Sequence, residues 1–278
     1  MRAHESLREG KLQESLEQLQ DQIRKDPSNS KYRVFLFQLL AVLGDWERAM
    51  TQLKVLGEMD AGTLPMVQTY REALRCEALR TAVFAGERSP LVLGEPEEWL
   101  ALLMQSLHAV SSGKTAEAED LRGRALDAAP TTAGAIDERA FEWIADADSR
   151  LGPVLEAIVN GRYYWVPFHR IRRIEIEEPG DLRDVVWMPA QFRWANGGET
   201  VGLIPTRYPG SERAKRSEIR LARVTEWLDQ GENGFFGLGQ RMLATDAGEY
   251  PLMDIRAIDL QTGEPVDEPA GEASGGEA

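Results

Sequence analysis

The chain has 278 residues, 42% of them apolar, enough to bury one large core or two smaller ones, so a globular protein is predicted. A formal net charge of −14 opposes a polyanionic partner, and no run of about 18 apolar residues is present to span a bilayer. The polar start MRAHESLREGKLQESLEQLQ lacks a secretory h-region and Cys76 is the sole cysteine, which excludes an internal disulfide and a Cys-built metal site and predicts a cytoplasmic location.

Three segments of the first half share one grammar: Gly10-KLQESLEQLQDQIRKD-Pro27, Gly44-DWERAMTQLKVLGEMD-Ala61 and Gly113-KTAEAEDLRGRALDAA-Pro130. Each opens on Gly and continues as an amphipathic helix. The first two start 34 residues apart and the last two 69, about twice as far. A period of about 34 is that of tetratricopeptide-like (TPR-like) helical hairpins. Ser15, Ala49 and Ala118 fall in register where paired helices cross, and Pro27 and Pro130 end their helices. Helices are also expected over 29–43, 64–85 and 97–110, the middle one departing from the repeat. Arrays of this kind present a concave groove. Register puts Val34, Gln38 and Ala41 on it from one unit, and Leu100, Leu103 and Leu107 from another. Those side chains either line a slot for an amphipathic helix or form core.

From about Asp137 the pattern changes. Residues 137–150 (DERAFEWIADADSR) read as a helix whose Glu138, Glu142, Asp146 and Arg150 form one solvated stripe, without a His at ligand spacing to make it a metal site. LGPVLEAIVNG reads as a second, short helix stopped by Asn160-Gly161. Strands follow over 162–166 and 170–176, as one strand broken at Pro167, then over 184–188, 191–194 and 201–204, with a hairpin at Asn196-Gly197-Gly198. Residues 217–229 fit helix or strand equally. Short strands at 235–238 and 241–243 lead to a last one at 250–260.

The expected organisation is multidomain: TPR-like helical repeats over 1–136, a small α+β domain with a bent, barrel-like antiparallel sheet over 137–260, and an acidic disordered tail over 261–278. That tail carries five carboxylates and no basic residue.

GRYYWVPFHRIRRI (Gly161–Ile174) concentrates aromatics and arginines as a nucleic-acid platform would. Glu175, Glu177 and Glu178 follow at once, however, and the protein as a whole is acidic, which argues against nucleic acid. Alternation puts Tyr163 and Trp165 on one strand face and Tyr164 on the other, as domain core or, with His169, as a secondary partner-binding patch.

The run WIADADSRLGPVLEAIVNGRYYWVPFHRI (Trp143–Ile171), with DVVWMPAQFRW (Asp184–Trp194) and GLIPTRYPGS (Gly202–Ser211), resembles the ImpE/TagJ family, also called SciE-type proteins, of type VI secretion clusters. The likeness spans about residues 1 to 260. It implies a non-enzymatic cytosolic accessory protein that binds the N-terminal helical region of the small, TssB-like sheath subunit. A further implied partner is the ClpV-type AAA+ ATPase that recycles contracted sheath.

The residues themselves offer no competing chemistry. His4, His108 and His169 have no adjacent nucleophile motif of the G-x-S-x-G kind, and GFFGLG (Gly234–Gly239) matches neither a dinucleotide fingerprint nor a P-loop. No catalytic residue, cofactor or metal is therefore expected. The alternative to the sheath adaptor is a TPR-type scaffold or chaperone for another secretion component or effector.

Overall fold

The computed structural model describes residues 2–262. The acidic tail thus lies outside the described residues, apart from Gln261 and Thr262.

Seven helices build the first part: α1 (Arg2–Arg8), α2 (Leu12–Lys25), α3 (Ser30–Leu43), α4 (Trp46–Met59), α5 (Leu64–Phe84), α6 (Glu98–Ser111) and α7 (Thr115–Ala128). Gly10, Gly44 and Gly113 adopt left-handed φ values of 75°, 73° and 72°, which lets each close one helix within two residues of the next. The Asn29 carboxamide accepts from the Lys31 N–H at 3.2 Å and the Asp45 carboxylate from Arg48 at 3.3 Å, capping α3 and α4. Ser15, Ala49 and Ala118 are buried, as their register requires, and the Ser15 hydroxyl donates to the Ala3 carbonyl at 2.7 Å.

A two-residue strand, β1 (Leu91–Val92), interrupts the helices. After α7 the chain is mostly extended: β2 (Gly134–Ile136), β3 (Arg139–Phe141), β4 (Ile144–Asp146), β5 (Val154–Val159), β6 (Arg162–Pro167), β7 (Ile171–Ile176), β8 (Trp187–Trp194) and β9 (Glu199–Pro205). A single helical turn, α8 (Ser217–Arg220), precedes β10 (Thr225–Asp229), β11 (Phe235–Gly239), β12 (Met242–Thr245), β13 (Gly248–Pro251) and β14 (Ala257–Leu260). The main sheet has nine strands in the order β1-β6-β5-β9-β8-β7-β14-β2-β3, all antiparallel except the β1–β6 pair; β10-β11 and β13-β12-β4 form two smaller sheets.

Four expectations are corrected. Residues 137–150 are not a helix: Asp137 and Glu138, with φ of 45° and 70°, turn the β2–β3 hairpin, and β4 follows. The Asp137 carboxylate accepts the Ala257 N–H at 2.7 Å and the Arg256 N–H at 3.0 Å, which fastens this unusual turn to β14. LGPVLEAIVNG is not a helix either. It contains β5, and Asn160-Gly161 (φ 49° and 71°) is the two-residue turn of the β5–β6 hairpin.

The sheet is bent but does not close into a barrel. Phe168–Arg170 joins β6 to β7 across three intervening strands. Four backbone steps reach at most ~14 Å, whereas four strand spacings in a flat sheet need ~19 Å, so the sheet must curl. No ladder joins β6 to β7, however: β6 pairs onward with β1, and β7 with β14. Residues 162–176 are therefore two distant strands, not one broken strand.

Two cores result, one on each sheet face. Val154, Ile158, Tyr163, Trp165 and Trp187 face the helices and pack with Phe37, Tyr70 and Leu103. Leu155, Ala157, Val166, Met188, Phe192 and Ile258 fill the other side, inside the curl. The period-2 alternation of β5 and β6 thus separates a helix-facing core from a sheet-internal one.

Candidate partner-binding surface

The six residues assigned to the repeat groove are mostly interior. Ala41 and Leu103 are 0% exposed, Leu100 1%, Leu107 4% and Gln38 5%, and only Val34 is half-buried. The sheet half occupies the space that a partner would fill. Arg207, from the turn after β9, donates to the carbonyls of Val42 (2.9 Å) and Ala41 (3.3 Å) at the end of α3, and Gln38 donates to Asp181 at 3.3 Å. Trp187 of β8 packs between Trp46 and Tyr70, with ring centroids at 6.0 and 5.8 Å. An apolar helix face needs cover, and here the same chain provides it.

The aromatic stretch is likewise committed. Tyr163 and Trp165 are buried; the Tyr163 hydroxyl donates to Glu156 at 2.5 Å and the Trp165 indole to the Tyr163 oxygen at 2.8 Å. Tyr164 is half-buried on the opposite face. His169 Nε2 lies 3.1 Å from Glu97 Oε1, beside Arg170, which holds the Leu93 carbonyl at 2.5 Å and so pins the β1 segment. Burial and the neighbouring Arg170 lower the His169 pKa, and Glu97 opposes them. None of these rings forms an open stacking platform.

The sequence reading missed the buried ionic network beneath them. Glu156 of β5 receives Arg80 of α5 in a fork at 2.6 and 2.9 Å, and Arg241 on the same carboxylate. Arg241 also pairs with Asp146 and donates to the Pro205 carbonyl at 2.8 Å. Glu77 lies 3.5 Å from Arg80 and accepts the Trp187 indole N–H at 2.8 Å. Asp148 takes Arg150 at 2.8 and 2.5 Å and the Gly237 N–H at 2.8 Å. Burial raises the Glu156 pKa, but the two guanidiniums outweigh it and hold the carboxyl at about 2. Asp146 is pushed up to about 6, chiefly by burial and by Asp148, against the pull of Arg241. The available signal was a lone Glu inside the apolar run VLEAIV, which a strand can bury only with a cation opposite.

These buried charged groups are paired with one another. The Cys76 thiol is buried, and desolvation raises it to about 12, so it is not a thiolate. Among the described residues no group of three or more His, Cys, Asp or Glu could hold a metal ion, and no helix is long and apolar enough to cross a membrane.

Openings remain along the seam between helices and sheet. One, of about 480 Å³, lies over the start of α3 and is lined by Val34, Gln38, Asp60 and Asp181. Another, of about 340 Å³, is lined by Glu177, Glu178, Asp181 and Arg183. A third, of about 460 Å³, lies between the start of α5 and strands β5, β8 and β9.

The comparisons with known proteins agree with one another. The model of the ImpE protein family matches residues 138–259. The type VI secretion system accessory component TagJ of Pseudomonas aeruginosa is 53% identical over 261 residues, covering 94% of this chain and 92% of the relative. The crystal structure of protein VPA1032 from Vibrio parahaemolyticus has a TM-score of 0.84 to this fold at 25% identity, over 95% of this chain and 98% of that one.

Proposed function

The chain belongs to the ImpE/TagJ family of type VI secretion accessory components, and from that premise we propose that it is a non-enzymatic, cytoplasmic adaptor that binds the N-terminal helix of the small, TssB-like sheath subunit and modulates sheath recycling by a ClpV-type ATPase. The observation that carries this reading is the 53% identity to an accessory component along nearly the whole chain. The geometry supports it in two ways. The perturbed groups Arg80, Asp146, Glu156 and Arg241 are spent in mutual buried pairs, so they serve cohesion and not turnover. The open surface offers apolar clefts at the seam, of the kind that receives a helix.

The test is a titration of the purified protein against a labelled peptide of its own sheath subunit's N-terminal helix, with a scrambled peptide as control. Saturable binding near ~1 μM, about 8 kcal/mol, is expected for the true sequence alone. An absence of binding to both the peptide and intact sheath would reject the adaptor and favour a scaffold for another secretion component.

A further inference from the structure

The three seam cavities adjoin. The first and second share Asp181 on their walls, and the second and third share Arg183 and Pro189. They trace one trench from the start of α3, past the 177–184 loop, to the outer face of β9. Its floor is apolar at both ends, with Val34 at one and Met66, Ile158 and Val201 at the other. Val201 is 68% exposed, the most of any large apolar side chain among the described residues. Six carboxylates line the trench (Asp60, Glu72, Glu177, Glu178, Asp181 and Asp184), against the two cations Lys31 and Arg183. Glu177 and Glu178 are exposed and make no ion pair among the described residues.

The backbone restricts what can lie there. β5 and β8 are interior strands, and β9 pairs with β8 along its length and with β5 at Gly202 and Leu203, so the wall offers an extended peptide at most the three-residue edge Glu199–Val201, too short to hold it by a ladder. An extended segment would bury unmet N–H and C=O groups, whereas a helix satisfies its own. Arg183 adds one polar anchor. Its guanidinium lies 4.9 Å from the Tyr70 ring centroid and pairs with Asp181 at 2.6 Å, while its buried Nε–H has no acceptor among the described residues.

We infer that this trench is the docking site of an amphipathic helix with an apolar stripe and basic flanks. The source of that helix in the sheath rests on the proposed function; the location and the charge of the partner rest on the trench itself.

The experiment titrates the full-length protein and three variants with two labelled peptides, the sheath subunit's N-terminal helix and a designed leucine–lysine amphipathic helix. Val201→Asp and the pair Glu177→Lys with Glu178→Lys each weaken both peptides about tenfold or more. Phe235→Asp, on the exposed β10–β11 ribbon, leaves affinities within about twofold. All three variants are exposed substitutions and keep the wild-type melting curve by circular dichroism. Undiminished binding of the sheath helix to the two trench variants overturns the trench while the adaptor stands. Binding of the leucine–lysine helix alone, lost in Val201→Asp, supports the trench and rejects the sheath partner. Failure of both peptides to bind the wild-type protein overturns both.

Discussion

Glu156 stands in the middle of an apolar strand with both oxygens taken, one by Arg80 and Tyr163, the other by Arg80 and Arg241. Around it, Glu77, Asp146, Asp148 and Glu156 balance Arg80, Arg150, Arg207 and Arg241 in number. A balanced buried network contributes little net stability against an apolar replacement, but removing one member strands the rest. Glu156→Gln is expected to lower the unfolding free energy by about 3–5 kcal/mol, measured by urea denaturation at neutral pH. The pH dependence has a definite sign. The folded state holds Glu156 at about 2 against its ordinary 4.5, so its contribution is full above 4.5 and is lost as pH falls toward 2. The gap between wild type and Glu156→Gln therefore shrinks across that window. Asp146 runs the other way: with its pKa raised from 3.8 to about 6, the fold gains stability as pH falls through that interval. Asp146→Asn lacks that gain, so wild type improves relative to it on acidification, read from the same denaturation series. Opposite slopes would refute the charge assignments.

Helices and strands differed in what the sequence revealed. Helices such as α2 and α4 keep one face exposed, so their 3.6-residue period shows; α3 is buried all round from Phe35 to Val42 and reads as helix by its length and caps, and the glycines that end helices at 10, 44 and 113 mark the spacing. Strand β5 is buried on both faces, so VLEAIV has no alternation, and Glu156 mimicked the polar face of a helix. The Asn160-Gly161 turn was the overlooked hairpin signal. Strands β2 to β4, at three residues each, are too short to show a period at all. The end of α3 shows a further feature that spacing conceals. The Ala41 carbonyl accepts the Gly44 N–H at 3.1 Å, but that of Val42 would be orphaned in the interior, and Arg207 satisfies it together with the Arg220 carbonyl at 2.5 Å while adding a second bond to Ala41. With only carbonyls as direct partners, the Arg207 guanidinium is lowered by burial to about 10, with the carboxylates of Glu212 and Glu77 pulling the other way. Arg207→Met leaves the Val42 and Arg220 carbonyls without this donor and is expected to cost about 1–3 kcal/mol, with faster amide exchange in the last turn of α3. Arg207→Lys does not rescue it, because a single ammonium cannot reproduce the fork that reaches α3 and Arg220 together.

At the scale of the molecule, the family and the helical-then-sheet order were legible, whereas the docking of the two parts was not. The contacts that decide it join residues far apart in the chain: Arg80 with Glu156, Gln38 with Asp181, Arg207 with Val42, Phe84 with Trp165. A single sequence shows that the face bearing Ala41, Leu103 and Leu107 is apolar, but not whether a partner or the chain's own sheet covers it. In the structure the sheet half covers the Ala41 end of α3, Leu103 and Leu107 are buried, and the openings lie at the seam. This has a consequence for stability. The helix-facing core is shared between both parts, so neither can lose the other without exposing Phe37, Tyr70, Trp165 and Trp187. Unfolding is therefore expected as one cooperative transition, with far-UV circular dichroism and tryptophan fluorescence coincident in urea. Trp187→Ala removes the ring between Trp46 and Tyr70 together with the indole donor to Glu77, and should cost ~3–5 kcal/mol. Because that ring sits on the seam, both probes should shift by the same amount. A fluorescence transition that moves while the helical signal stays would mean that the helices stand without the sheet, and that the seam is a contact between independent domains and not a common core.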